Sequence, residues 1–247
     1  MEQPAHYTMS SLVRRSSIAL LGFACLGLGG CSSEAPVENP PGQSDNAETE
    51  TQEIAVAGTQ RNILAFGNSL FAGYNVPKDD SYPAKLEVAL REQGVNARVI
   101  NAGVSGDTSA AGRQRFEFTL NAQEDAPDLL VLELGGNDLL RGVNPAETRA
   151  NLAAMIETAQ SRGIDVLLMG MQAPPNVGPE FLAEFNGLYG SLAQEYDVKL
   201  VPNWLEEVAM QPELIQADRI HPTVEGIEVL VSDTASDVAA ALPGNQQ

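Results

Sequence analysis

Five short apolar runs, each leading into polar or helical sequence, constrain this chain more than any other feature. They read "RNILAF" (61–66), "ARVIN" (97–101), "DLLVLEL" (128–134), "DVLLMGM" (165–171) and "VKLV" (198–201). Three are almost continuously apolar, as strands covered on both faces must be. Helical patterns separate them. In "YPAKLEVALREQG", Leu86, Ala89 and Leu90 share a face and the pattern stops at Gly94. A second helix opens at Pro145, ends at Gly163 and carries Leu152, Met155, Ile156 and Ala159 as its stripe. "FLAEFNGLYGSLAQEY" and "PTVEGIEVLVSDTASDVAAAL" complete the set. Strands alternating with helices imply parallel pairing through right-handed crossovers. The spacing predicts a three-layer α/β/α sandwich on a five-stranded parallel sheet, with no internal repeat.

Such sheets bind ligands at the carboxyl ends of their strands. The segments leaving the five runs are "GNSLFAG", "AGVSGDT", "GGNDLLRG", "QAPPNVGPE" and "PNWLEEV". The polar and glycine-rich residues are thus expected along one edge, although they are far apart in sequence.

The chain ahead of this domain has a different character. Arg14 and Arg15 precede an apolar, small-residue stretch over 18–30, which has the form of an export signal. Thirteen residues are too few to span a bilayer permanently. Leu28, Gly29, Gly30 and Cys31 resemble a bacterial lipobox, which implies a lipoprotein signal peptide over 1–30 and a lipidated Cys31; ordinary cleavage leaving a free thiol is the alternative. Ser32 implies, by the same resemblance, sorting to an outer membrane facing the periplasm. From Glu34 to Gly58 there are six acidic residues and no basic one, in a Pro-, Gln-, Asn- and Thr-rich context that cannot offset its own ordering entropy. Residues 31–58 are therefore expected to form a disordered acidic tether, and 59–247 a single domain. Cys25 and Cys31 are the only cysteines, so the domain has no disulfide and no cysteine metal site. Net charge is −19 overall, and the domain after Gly58 carries 26 acids against 12 bases. A field of that sign disfavours nucleic acid as a partner.

Acyl transfer needs a nucleophile, a base, an orienter for the base and donors for an oxyanion. Histidine is the scarce ingredient. Of the two in the chain, His6 lies in the signal, which leaves His221 in "ADRIHPTVEG". Asp218 precedes it by three residues, within reach of Nδ1 on a turn, with Nε2 left free to accept a hydroxyl proton. A surface histidine beside an acid is the plain alternative. No Gly-x-Ser-x-Gly elbow occurs, but Ser69 follows the first strand and can open a helix, leaving its own N–H unpaired. No Gly-rich phosphate loop, His-Glu-x-x-His sequence or carboxylate cluster calls for a cofactor or metal.

"FGNSLFAGY", "NAGVSGDT", "LGGNDLLRG" and "DRIHP" resemble, in order and spacing, the four blocks of the SGNH (GDSL) hydrolase superfamily, over almost all of Arg61 to Leu242. The resemblance implies Ser69 as nucleophile, Asp218 and His221 as acid and base, and an oxyanion hole built from the Ser69 and Gly103 N–H groups and the Asn137 side chain. The second half of the domain is similar to the thioesterase-I, lysophospholipase and arylesterase branch. That implies a serine esterase acting on aryl esters, lysophospholipids or acyl thioesters, with Leu70, Leu139, Pro174 and Pro175 touching the acyl group. Asn68 departs from the family's usual aspartate. An envelope polysaccharide O-deacetylase, and an inactive tethered binding lipoprotein, are the alternatives. Oligomeric state is not legible.

Overall fold

Each of the five apolar runs is a strand in the structure, a computed structural model that describes residues 54–244. The strands are β1 (Arg61–Gly67), β2 (Ala97–Gly103), β3 (Leu129–Glu133), β4 (Asp165–Met169) and β5 (Lys199–Val201). They form one sheet in the order β2-β1-β3-β4-β5, parallel throughout. The helices are α1 (Ser69–Ala72), α2 (Tyr82–Glu92), α3 (Ser109–Asn121), α4 (Gly136–Leu140), α5 (Pro145–Ser161), α6 (Pro179–Tyr196), α7 (Glu206–Ala209) and α8 (Val224–Ala241). This is the three-layer arrangement expected from the alternation.

Side-chain alternation along the strands divides the core in two. Ile63, Ala65, Leu129, Val131, Leu167 and Met169 face α2 and α8, whose buried stripes include Leu86, Leu90, Leu230 and Val238. Leu64, Phe66, Leu130, Leu132, Val166 and Leu168 face α3, α5 and α6. Each fully buried side chain of this size contributes roughly 1.5–3 kcal/mol, so both faces hold the sheet firmly.

Register places the chemistry. Gly67, the last residue of β1, is paired with Gly103 on one side and Glu133 on the other. A Cβ at Gly67 would lie 2.7 Å from Glu133 Oε2 and 2.9 Å from Phe71, so only glycine leaves room for that carboxyl. The short α1 then rests on an aromatic cluster. Phe71 stacks on Tyr82 at 5.1 Å between ring centroids, and Trp204 meets both edge-on.

The domain begins earlier than the composition suggests. The Ile54 carbonyl accepts from Arg91 Nε and the Gly58 carbonyl from Asn96 Nδ2, so the last residues of the expected tether are bonded to the domain. The expected signal over 1–30, Cys31 and the rest of the tether up to residue 53 lie outside the described residues.

Candidate active site

Ser69, Asp218 and His221, separated by up to 152 residues, meet at the carboxyl edge of the sheet. Ser69 is the first residue of α1, immediately after Asn68, which caps that helix by accepting from the Leu70 N–H at 3.0 Å. Its own N–H has no partner among the described residues, as expected of a first-turn donor. His221 sits between a tight turn and α8. Asp218 Oδ1 accepts from the Ile220 N–H at 2.9 Å and the His221 N–H at 3.1 Å, while Oδ2 lies 2.7 Å from His221 Nδ1. On the far side of the ring, Nε2 lies 2.8 Å from Ser69 Oγ. Tyr74 stacks on the imidazole at 4.3 Å and fixes its plane.

Electrostatics select the tautomer. Desolvation raises the Asp218 carboxyl pKa, but the hydrogen bonds from the His221 ring and from two backbone N–H groups outweigh it and hold the pKa down to about 2. An ionised Asp218 takes the Nδ1 proton as its donor. Nε2 is then a lone-pair acceptor, and Ser69 Oγ donates to it.

Two further segments complete the edge. Asn137, in α4, gives one Nδ2 hydrogen to the Asp107 carbonyl at 2.8 Å and keeps the other free. The loop after β2 is tied down by Arg115, which pairs with Asp107 at 2.6 Å and donates to the Gly67 carbonyl at 3.0 Å. Within that loop the structure corrects one expectation. The Gly103 N–H is occupied by Asn101 Oδ1 at 2.9 Å, so it is not an open donor. Gly103 is glycine for space, since a Cβ there would lie 2.3 Å from the Ala72 nitrogen, in the backbone of α1. The Gly106 N–H is among those of this loop without a partner among the described residues; Gly106 has a φ of +89°, a left-handed conformation, and its carbonyl is held by Arg141.

Ser69 and Asn137 line one cleft of about 190 Å³ together with Leu70, Leu139, Leu140 and Met171. Leu70 and Leu139 thus line the cleft beside Ser69. Pro174 and Pro175 do not: both are exposed, Pro175 opens a 3-10 turn, and the cleft takes Met171 and Gln172 from that loop instead. Sequence reasoning also passed over Glu133. It is fully buried under Asn68, accepting from the Asn68 N–H at 3.1 Å and from Nδ2 at 2.9 Å. Burial pushes its pKa up to about 8 against the lowering effect of those two bonds. The available signal was a lone acid inside an otherwise apolar strand. Among the described residues, no group of three or more His, Cys, Asp or Glu side chains is placed to hold a metal ion.

A parallel α/β sheet with a hydrogen-bonded serine, histidine and aspartate at its carboxyl edge, beside unpaired N–H donors, has the geometry that acyl hydrolysis requires. The chain belongs to the GDSL-like Lipase/Acylhydrolase family, whose model matches residues 65–229. It is 42% identical over 174 residues to "Esterase TesA" of Pseudomonas aeruginosa, covering 70% of this chain and 84% of that one. It is 36% identical over 160 residues to "Thioesterase 1/protease 1/lysophospholipase L1" of Escherichia coli (strain K12), covering 65% and 74%. Among solved structures, the SGNH-hydrolase family esterase AlinE4 is 60% identical, with a TM-score of 0.65 over 76% of this chain and all of that one. The protein is thus an enzyme, a hydrolase of the carboxylic ester type.

Proposed function

We propose that the protein is a serine esterase that cleaves acyl esters through an acyl-enzyme, with aryl esters, lysophospholipids and acyl thioesters as its substrate range. In this mechanism His221 Nε2 takes the Ser69 proton as Oγ attacks the acyl carbonyl, and Asp218 holds the resulting imidazolium. The tetrahedral oxyanion is met by the N–H groups of Ser69 and Gly106 and the free amide hydrogen of Asn137. Donors of this kind contribute about 3 kcal/mol each to lowering a barrier. His221 then returns its proton to the leaving group, and a water activated by the same imidazole releases the acid. The observation that carries the proposal is the Asp218–His221–Ser69 relay, with links of 2.7 and 2.8 Å.

The test is hydrolysis of p-nitrophenyl esters by the wild type and Ser69→Ala. The variant is expected to be folded and inactive, and an organophosphonate probe to label Ser69. Labelling at Ser105 or Ser191 instead would refute the assignment. We further propose, from Leu28 to Cys31, that the enzyme is lipid-anchored in the cell envelope. Labelling with an alkyne fatty acid is expected on the wild type and not on Cys31→Ser.

A further inference from the structure

The chain leaves α1 through Gly73, whose φ of +81° is left-handed, and the next residue, Tyr74, lies over the ring of His221. The two rings are 28° from parallel and their centroids are 4.3 Å apart, the closest aromatic approach among the described residues. Tyr74 is nevertheless 43% exposed, so burial of its own ring does not account for the contact. Both ends of its backbone are tied to the segments that carry the triad. Its N–H donates to the Ser69 carbonyl at 3.2 Å, and its carbonyl accepts from Gln216 Nε2 at 2.9 Å. Gln216 in turn is bonded to the His221 segment. Its N–H donates to the His221 carbonyl at 2.7 Å, and Nε2 also donates to the Pro222 carbonyl at 2.8 Å. We propose that Tyr74 is a positioning residue for the hydrolysis: its ring face holds the His221 imidazole in the plane that joins Ser69 to Asp218, and it stabilises the imidazolium that forms when Nε2 takes the Ser69 proton. The inference rests on the esterase reading above.

Three observations carry it. First, the bonds from His221 Nδ1 to Asp218 and from Nε2 to Ser69 both leave the ring at its edge. They fix where the imidazole sits but leave it able to tilt about the line that joins them. A contact on the ring face blocks that tilt, and Tyr74 supplies one. Second, the face of an aromatic ring is negative, and a cation within about 6 Å of its centroid is attracted to it. Neutral imidazole feels little of this attraction and imidazolium feels all of it. The contact therefore strengthens as Nε2 takes the proton, as an interaction must if it is to speed a step. Third, the Ser69 carbonyl accepts from the N–H groups of both Gly73 and Tyr74, so the nucleophile and the ring that covers the base belong to one short, closed segment. The other groups around the imidazole that carry charge or exchange a proton are few. Its own turn supplies Asp218 and Arg219, α1 supplies the Ser69 hydroxyl, and Gln216, Thr223 and Asn137 are neutral. Glu225, in the first turn of α8, is bonded to its own backbone N–H and to Thr223, and Arg141 to the Gly106 carbonyl. Exchanging Tyr74 alters none of them.

The experiment measures kcat and KM for p-nitrophenyl butyrate from pH 5 to 9 in the wild type, Tyr74→Phe and Tyr74→Leu. Tyr74 is exposed, so both substitutions leave the fold intact, which circular dichroism checks. Phenylalanine keeps the ring face and drops the hydroxyl, whereas leucine covers the imidazole with hydrocarbon that has no such face. Comparing the two variants with each other therefore removes any effect of water reaching His221. Tyr74→Phe is expected to rescue the contact and stay within about twofold of the wild type. Tyr74→Leu should lose about 2- to 30-fold in kcat/KM at pH 8, mostly through kcat, since a cation over a ring face is stabilised by that factor. The acid limb of its kcat/KM profile should also lie about 0.4–1.5 pH units below that of Tyr74→Phe, because the resting ring then holds its proton less firmly. A role in folding alone would lower kcat without moving that limb. The proposal is overturned if Tyr74→Leu matches the wild type, if Tyr74→Phe falls as far as Tyr74→Leu, or if activity drops with the acid limb unmoved. An NMR titration reads the stack independently of turnover. The His221 ring resonance, identified as the one absent from His221→Asn, should titrate at lower pH in Tyr74→Leu than in Tyr74→Phe even if no ester is cleaved. Equal midpoints in the two variants reject the stack, while a displaced midpoint in a protein without esterase activity supports it and rejects the esterase reading.

Discussion

Glu133 shows what the asparagine at position 68 is for. Both carboxyl oxygens of Glu133 accept N–H donors from Asn68, and Asn68 Oδ1 in turn caps the helix that begins at Ser69. A buried acid is therefore one bond removed from the turn that aims Ser69. In Asn68→Asp, two carboxyls face each other in a site closed to water, and one must hold a proton. That variant is expected to stay within about tenfold of wild type at low pH, or 1.4 kcal/mol of barrier. It should lose kcat/KM as the pH rises and the shared proton leaves. The double variant Asn68→Asp/Glu133→Gln restores one donor against each acceptor, so its pH–rate profile should return to the shape of the wild type's. In the wild type, Glu133 has a folded-state pKa of about 8 against an ordinary 4.5. The folded state keeps a proton that the unfolded chain releases, so the stability contributed below pH 4.5 is lost as the pH rises from 4.5 through 8. Urea midpoints across that window should fall. Glu133→Gln should remove the slope and, by facing an amide N–H against a donor of Asn68, cost about 1–3 kcal/mol. Asp218 behaves in the opposite sense. Its pKa of about 2 keeps it ionised through the working range, so any stability it lends is lost only as the pH falls from 3.8 through 2. It adds no ionisation to kcat/KM between pH 4 and 8, and Asp218→Asn should lower turnover by up to about 10⁴.

Elements differed in how plainly the sequence announced them. All five strands were legible as short apolar runs, three of them almost unbroken as a sheet covered on both faces requires, and α2, α5, α6 and α8 because their buried stripes are largely apolar. Helix α3 was not. Its buried positions are Ser109, Gly112, Phe116 and Leu120, so half of its inward face is not apolar. Glycine sits there because the helix approaches the sheet closely: a Cβ on Gly112 would lie 2.4 Å from Leu134 Cδ1. His221 could be read by elimination, as the one histidine after His6, and Asp218 by its spacing from it, whereas Ser69 and Asn137 were legible through the resemblance of their blocks. The glycines could not be read. "NAGVSGDT" holds two, and nothing in the letters says which N–H a neighbouring side chain will occupy. The structure separates them, and a matched pair of variants tests the separation. Gly103→Ala pushes a methyl into the α1 backbone and should lose several kcal/mol of stability along with activity, as overpacking at a rigid contact does. Gly106→Ala keeps its N–H and meets nothing closer than Arg141 at 3.9 Å, but pays for a φ of +89°. It should cost about 1–2 kcal/mol and retain measurable activity. Thermal melts and p-nitrophenyl butyrate turnover distinguish the two.

At the scale of the molecule, charge and connectivity matter most. The domain after Gly58 carries 26 acids and 12 bases, an excess of 14 negative charges that repel one another at neutral pH. Raising sodium chloride from 0.02 to 0.5 M should screen that repulsion and raise the melting temperature by roughly 2–4 °C per kcal/mol recovered. Unchanged calorimetric traces would show that the ion pairs lost to screening, such as Lys85 with Asp80 and Glu228, matter as much as the repulsion relieved. The sheet order also fixes a sequence of events. Ser69 opens α1 just after β1, while His221 lies shortly before α8, 152 residues later. A ribosome adding about 5–20 residues per second takes roughly 8–30 s to travel from one to the other. Until α8 is made and docked on α2, the growing chain holds a serine with no imidazole beside it. The enzyme stays silent while those residues are being added, and the arrival of α8 is the moment at which hydrolysis can begin.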